Sequence, residues 1–191
     1  MFKNVFQSGY LSIFFSEGSH PLQLWSVQND KKEGSSVALI KDNTLGATVL
    51  EITSRNLAKT FISCPQQHQS LGIKLPHIVF IVKNLKKFCS FEVTLLDDRD
   101  ILRRFRASNF QSKTNITPEI CTMPLRLDEG WNQIRIDLQD FTKRSYGTNF
   151  KHVERVQVHA SCRIRRIFFS EEMNFTEETL PPEFRLYHPV A

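Results

Sequence analysis

The chain has 191 residues, of which 40% are hydrophobic and 24% charged, with a formal net charge of +5. This suits one domain, spanning 1–191, with a real core, and the charged fraction is ordinary for a soluble globular protein. No stretch approaches the roughly 18 consecutive apolar residues that span a bilayer, and the start, "MFKNVFQSGYLSIFF", lacks the basic and apolar regions of a signal peptide. The expectation is therefore a protein with no membrane partner and no export, whose four cysteines stay reduced.

In chain order, short apolar runs at strand length fall at Leu11–Phe15, Leu22–Val27, Thr48–Ile52, Thr60–Cys64 and Ile78–Val82. Further runs follow at Phe91–Leu96, Leu102–Ala107, Gln133–Leu138, Arg155–His159 and Arg163–Phe169. Several alternate cleanly. Phe91, Val93 and Leu95 share one face, with Glu92 and Thr94 on the other; Val156 and Val158 alternate with Gln157 and His159. Period-two patterning marks antiparallel strands with one buried face. Asp97–Asp100 reads as a turn, and the polar stretch Gln28–Gly46 reads as a loop or an irregular hairpin. Leu138–Gly147, with Asp140 near its start and Gly147 at its stop, predicts a short helix, and Thr176–Phe184 could hold one more turn. The fold class is all-β: an antiparallel, jelly-roll-like β-sandwich with one or two short helices. Phe occurs 16 times, as a Phe-rich core would require.

The segment "SCRIRRIFFSEE" (Ser161–Glu172) threads arginines through core residue types. Alternation turns Ile164 inward and Arg163 and Arg165 outward; Arg166 then breaks the pattern, and a bulge at Arg165–Arg166 would restore the register.

No nucleophile elbow, zinc-protease helix, phosphate loop or dinucleotide fingerprint is present, so the chain reads as a non-enzyme without cofactor. The six His and four Cys are scattered without metal-ligand spacing, and a hairpin turn explains "LDDRD" better than a cation site does. The basic clusters are more informative. They are Lys83, Lys86 and Lys87; Arg103, Arg104 and Arg106; Lys143 and Arg144; and Arg163, Arg165 and Arg166. If their faces lie together, they form a positive surface for an acidic partner such as tubulin; otherwise they are solvated faces with salt bridges. The rival reading is a nucleic-acid-binding module with a nuclear role. It needs exposed aromatics among the basic residues; Phe105 and Phe110 lie among the arginines of "RRFRASNF" and fit loosely, but alternation turns Phe105 inward. A sugar-binding reading needs exposed Trp or Tyr, and Trp131 reads as buried.

The strings "MFKNVFQSGYLSI", "LGIKLP", "IVKNLKKF", "RRFRASNFQS", "CTMPLRLDEGWNQI", "DFTKRSYGTNF", "VQVHASCRIRRIFFS" and "LPPEFRLYHPV" closely resemble the cilia- and flagella-associated protein 20 family, in order from Met1 to Val190. The resemblance implies a jelly-roll sandwich with a non-enzymatic role. It implies placement at the inner junction that ties the B-tubule to the A-tubule of axonemal doublet microtubules, beside the Parkin co-regulated protein and other junction proteins. It also implies association with basal bodies, centrioles, ciliary and sperm motility, cilium assembly, and the nucleus. The chain departs from the family pattern at Glu33–Asn43, at Cys64–Ser70 and in lacking a lysine-containing tail after Ala191, as a divergent paralogue would. These departures are expected to lie in loops.

Overall fold

A computed structural model describes residues 1–31, 34–66 and 68–186. Glu33, Gln67 and the end of "LPPEFRLYHPV" lie outside the described residues. The elements in chain order are β1 (Tyr10–Phe15), β2 (Ser26–Gln28), β3 (Ser36–Asp42), β4 (Ala47–Thr53), β5 (Phe61–Cys64), β6 (His77–Asn84) and β7 (Ser90–Asp97). There follow β8 (Leu102–Ser108), β9 (Asn115–Ile116), β10 (Ile120–Pro124), β11 (Gly130–Asp137), α1 (Leu138–Tyr146), β12 (Phe150–His159) and β13 (Cys162–Ser170). A 3-10 turn occupies Pro182–Phe184.

Two sheets face each other. The first runs β11-β6-β13-β4-β3, with β1 also paired to β13; the second runs β2-β5-β12-β7-β8-β10-β9. Alternation does what the sequence requires. Ile78, Phe80 and Val82 point from β6 into the shared core, and Phe91, Val93 and Leu95 meet them from β7. The Phe80 and Phe91 rings lie 5.1 Å apart across that core. The result is the all-β, jelly-roll-like sandwich expected from the sequence, with one difference: β10 pairs β8 in parallel.

Strand β13 organises the first sheet. It pairs with β6 on one side along nearly its whole length. On the other side, Cys162–Ile164 pair with β4, and Arg166–Ser170 pair with β1. Arg165 sits at the exchange of neighbours, where the register slips between Ile164 and Arg166. The expected bulge is there, and it marks where one partner strand hands over to another. The Arg165 carbonyl accepts from the Ser16 N–H at 3.0 Å, and Ser16 Oγ donates to the Thr48 carbonyl at 2.6 Å, stitching the end of β1 to the start of β4.

The other face of this sheet is covered too. Val79, Ile81 and Phe168 point away from the main core and form a second apolar cluster with Phe175 and Leu180 from the segment after β13. Tyr10, Trp131, Phe184 and Leu186 pack against it. Arg135 lies 3.9 Å over the Phe175 ring and donates to the Phe175 carbonyl at 2.8 Å.

Helix α1 begins where β11 stops. Asp137 caps it by accepting from the Asp140 N–H at 2.9 Å, and Gly147, at φ 69°, supplies the left-handed cap that ends it. Asp140 in the first turn and Lys143 and Arg144 in the last complement the helix dipole. No helix among the described residues is long and apolar enough to cross a membrane.

Two expectations fail locally, and one pair of strands was not foreseen. Ser36–Asp42 is an edge strand hydrogen-bonded to β4, so the departure from the family pattern at Glu33–Asn43 lies partly in a strand. Its core-facing side is only half covered, which removes the alternation that would mark it. The pair β9 and β10 also went unforeseen, being short and broken by Pro118. The run Leu22–Val27 forms a strand only from Ser26; the Trp25 N–H turns back to the Leu22 carbonyl at 2.9 Å.

The N-terminal segment is seated on the loop before β6. The Phe2 N–H donates to the Leu71 carbonyl at 2.7 Å, and Gln7 Nε2 donates to the Gly72 carbonyl at 2.9 Å. Gly72 has φ +67°, and a Cβ there would stand 2.8 Å from the Lys3 backbone. Gly72→Ala must therefore strain the loop and push the segment off. The expected loss is about 1–3 kcal/mol in denaturant unfolding, with faster hydrogen exchange at the Phe2 amide; unchanged stability would contradict this packing.

Candidate interaction surface

The basic residues singled out from the sequence fall into distinct settings. On the outer face of the first sheet, Arg163 lies opposite Lys83 of β6 and Glu51 of β4. Asp42, fully buried at the end of β3, collects both cations: its Oδ2 accepts from Lys83 Nζ at 2.9 Å and Arg163 Nη1 at 2.7 Å. Its Oδ1 accepts from the Thr44 and Leu45 N–H groups at 2.9 and 3.1 Å. Burial alone would raise the Asp42 pKa; hydrogen bonds from Lys83 and Arg163 outweigh it and hold the carboxyl well below the ordinary range. Arg163 Nε also donates to Glu51 at 2.7 Å.

Arg165 and Arg166 are both buried, so alternation misplaces Arg165. The physical reason is the bulge, which turns Arg165 into the seam between β1 and β4. Its Nη1 lies 3.0 Å from Glu17. Arg166 lies 3.8 Å over the Phe15 ring and 4.9 Å over Phe184, and donates to Ser12 Oγ at 3.1 Å. Burial and the neighbouring Arg165 charge lower its pKa to about 10, so it remains a cation at neutral pH.

On the second sheet, Arg103 points inward at the β7–β8 turn. Its Nε donates to buried Asp97 at 2.9 Å, and its guanidinium lies 4.2 Å over the Tyr146 ring. Arg104 and Arg106 point outward, and both grip Glu92 from the neighbouring strand. Arg104 donates twice to Oε1 at 3.0 and 2.8 Å, and Arg106 twice to Oε2 at the same distances. Glu92 is 5% exposed, capped by its two partners. These side chains floor a groove of about 390 Å³, walled by Phe61, Phe110, Leu57 and His159. His159 Nδ1 lies 2.8 Å from the Leu57 carbonyl, an acceptor only, so Nδ1 carries the proton and donates. Burial lowers the His159 pKa, keeping the ring neutral at neutral pH.

The remaining cations are exposed and lie at opposite ends of the sandwich, since β6 starts beside α1 and ends at the loop that holds Lys86 and Lys87. Lys86 pairs with Glu129 at 2.7 Å, and Arg144 pairs with Asp140 at 2.6 Å. Such exposed pairs are weak in water and exchange partners readily. Neither Lys87 nor Lys143 forms an ion pair among the described residues. The structure thus gathers Lys83 with Arg163, and Arg104 with Arg106, but spreads the set over two faces and two ends.

Sequence reasoning noted Phe110 among the arginines without reading its orientation, and missed Phe88. Phe105 is buried as expected, but Phe88 and Phe110 are 61% and 48% exposed and touch edge to face, with centroids 5.6 Å apart. Both lie just beyond strands, where no periodicity reports orientation. The four cysteines are buried and unpaired, and burial pushes the Cys64 and Cys89 thiols up to about 12. No cluster of metal-ligating groups occurs among the described residues.

Fold and surface together define an all-β sandwich in which most of the buried charges face carboxylates or rings of the same molecule, and in which the exposed basic pairs Lys86–Lys87 and Lys143–Arg144 sit at opposite ends. The CFA20 domain matches residues 1–188, and the chain belongs to that family. It is 54% identical over 191 residues to "Cilia- and flagella-associated protein 20" of Paramecium tetraurelia, covering all of this chain and 98% of that one. It is 53% identical to the protein of the same name from Chlamydomonas reinhardtii, with the same coverage. Among solved structures, a family 11 carbohydrate-binding module of Clostridium thermocellum aligns with 89% of this chain and 100% of its own at 9% identity, with a TM-score of 0.49.

Two outcomes follow from the charge geometry. Asp42→Ala leaves Lys83 and Arg163 without their shared carboxylate and should cost about 3–5 kcal/mol in chemical unfolding; a loss below ~1 kcal/mol would mean that water or Glu51 replaces it. For His159, the unfolded chain takes up its proton first as pH falls. Stability should therefore decline from about pH 6.5 downward, and His159→Gln should flatten that decline in melts between neutral and mildly acidic pH.

Proposed function

We propose that this chain is a non-enzymatic structural protein of cilia and flagella, one that helps join the A- and B-tubules at the inner junction of axonemal doublet microtubules. In this reading it supports ciliary and sperm motility and cilium assembly. It works from the axoneme, with basal body, centriole, cytoplasm and nucleus as further locations. The carrying observation is full-length kinship, at 53–54% identity, with proteins named for cilia and flagella.

The proposed partners are tubulin and the neighbouring junction proteins, the Parkin co-regulated protein among them. Two features of the molecule support a tie. Most of its buried charges are engaged by groups of the same molecule, so little ordering of them is needed on docking. Four of its exposed cations stand at two ends, Lys86 and Lys87 at one and Lys143 and Arg144 at the other, as a body touching two acidic surfaces requires. Lys83, Arg103, Arg104, Arg106, Arg163, Arg165 and Arg166 then act mainly by holding the frame, with the outward guanidinium edges of Arg104 and Arg106 still open to contact. The nucleic-acid reading loses ground because Glu92 takes up part of the outward arginine pair, Phe105 is in the core, and exposed Phe110 meets Phe88 edge to face rather than offering a flat platform.

Co-sedimentation with stabilised microtubules, intact or stripped of their acidic tails, tests this across a salt series with single-stranded RNA as competitor. Saturable binding that resists RNA is expected. The double variant Lys87→Glu, Lys143→Glu should weaken it about tenfold at low salt. Tight RNA binding with no microtubule binding would replace this reading with the nuclear one.

A further inference from the structure

The exposed aromatic pair carries an inference that does not depend on the axonemal reading. Phe88 and Phe110 are held in place although they face water. Between them, Asn109 acts as a brace: its Oδ1 accepts from the Cys89 N–H at 2.9 Å, and its Nδ2 donates to the Lys87 carbonyl at 2.8 Å. One side chain thus bonds the backbone on both sides of Phe88. The Phe88 carbonyl itself accepts from the Ser161 N–H at 2.8 Å. Fixed apolar side chains at a surface carry a cost in water that only a partner removes, and a preorganised pair loses little freedom on binding.

Two adjoining hollows share Leu57. Phe110 walls the groove of about 390 Å³, and Phe88 walls a second hollow of about 460 Å³. Both are positive. Arg55 and Lys87 border the second, and no carboxylate among the described residues pairs with either. The first is floored by Arg104 and Arg106, two cations on the single carboxylate of Glu92. Each uses Nε and one terminal nitrogen there, which leaves the other terminal nitrogen with donors to spare.

We propose that this surface binds an extended acidic peptide that carries an apolar side chain, aromatic for the best fit. The side chain packs against Phe88, Phe110 and Leu57. Carboxylates on one side of it meet Arg55 and Lys87, and those on the other meet the outward edges of Arg104 and Arg106. A nucleic-acid strand fits less well: the rings meet edge to face at 69° rather than offering a flat platform, and the aromatic pair interrupts the cations where a phosphate backbone needs a continuous track.

The test is fluorescence anisotropy with the full chain and a fluorescein-labelled peptide, Gly-Glu-Glu-Phe-Glu-Glu-Gly. Controls are the same peptide with Ala in place of Phe, and an oligouridine strand. Binding should weaken about tenfold or more for the double variant Phe88→Ala, Phe110→Ala, and similarly for the Ala peptide. The variant Arg55→Glu, Lys87→Glu should weaken it several-fold at low salt and less at high salt. Melting curves check the fold; if the double alanine variant melts early, Phe110→Leu retains the packing and should give a smaller, measurable loss. Equal binding by the Ala peptide, indifference to the phenylalanine variants, absence of binding, or tighter oligouridine binding that displaces the peptide would each overturn the proposal.

Discussion

A guanidinium neither gives up its proton at neutral pH nor tolerates being left dry, and β13 carries three of them through the middle of a sheet. The surrounding elements have to answer that demand. Arg163 draws Asp42 to the end of β3 and Glu51 to its flank on β4. Arg165 reaches Glu17 just beyond β1. Arg166 lies between the rings of Phe15 and Phe184. Each arginine therefore ties β13 to a different part of the chain, and the three together fix where β1, β3, β4 and the segment after β13 must lie. Such pairs add little net stability over apolar packing, because the desolvation cost is high. Their effect is to make misplacement of any one element expensive.

The same accounting separates total charge from usable charge. The chain has a net charge of +5, yet most of the arginines in its strongest basic clusters face carboxylates or rings of the same molecule. Within those clusters, what reaches solvent fully is a smaller set at the two ends, Lys86 and Lys87 at one and Lys143 and Arg144 at the other, with the Phe88–Phe110 pair close to the first. A partner would meet a stiff body with localised contact points rather than a diffuse positive cloud. Association through such points is set more by geometry and less by ionic strength than the sequence charge suggests.

Most of the sandwich was legible from alternation, because β6, β7, β12 and β13 are long, central and covered on at least one face. The helix was legible through Asp140 near its start and Gly147 at its stop, while its N-cap, Asp137, was not singled out. Edge strands were harder to read. In β3 the half-covered residues blur the pattern, and β9 and β10 are too short to show one. Charge partners were the least legible. Arg163 and Asp42 are 121 residues apart, and Arg165 and the Thr48 carbonyl 117; nothing local marks such a pairing. Orientation beyond a strand end is equally invisible in sequence, which is why Phe105 could be placed and Phe110 could not.

The segment after β13 changes what the first sheet is. With Phe175, Leu180 and Phe184 laid over Val79, Ile81 and Phe168, β6 and β13 are covered on both faces, and the molecule is three layers deep along that line. A chain cut after Ser170 would keep every ladder hydrogen bond of both sheets and still lose its solubility. It would bare an apolar floor flanked by Arg135, stripped of its Phe175 partner, and by Arg166, left with Phe15 on one side only. That floor would offer itself to the next copy as readily as to its own missing cover. The segment is in this sense an internal chaperone for the sheet beneath it, and fragments designed from the strand pattern alone would omit it.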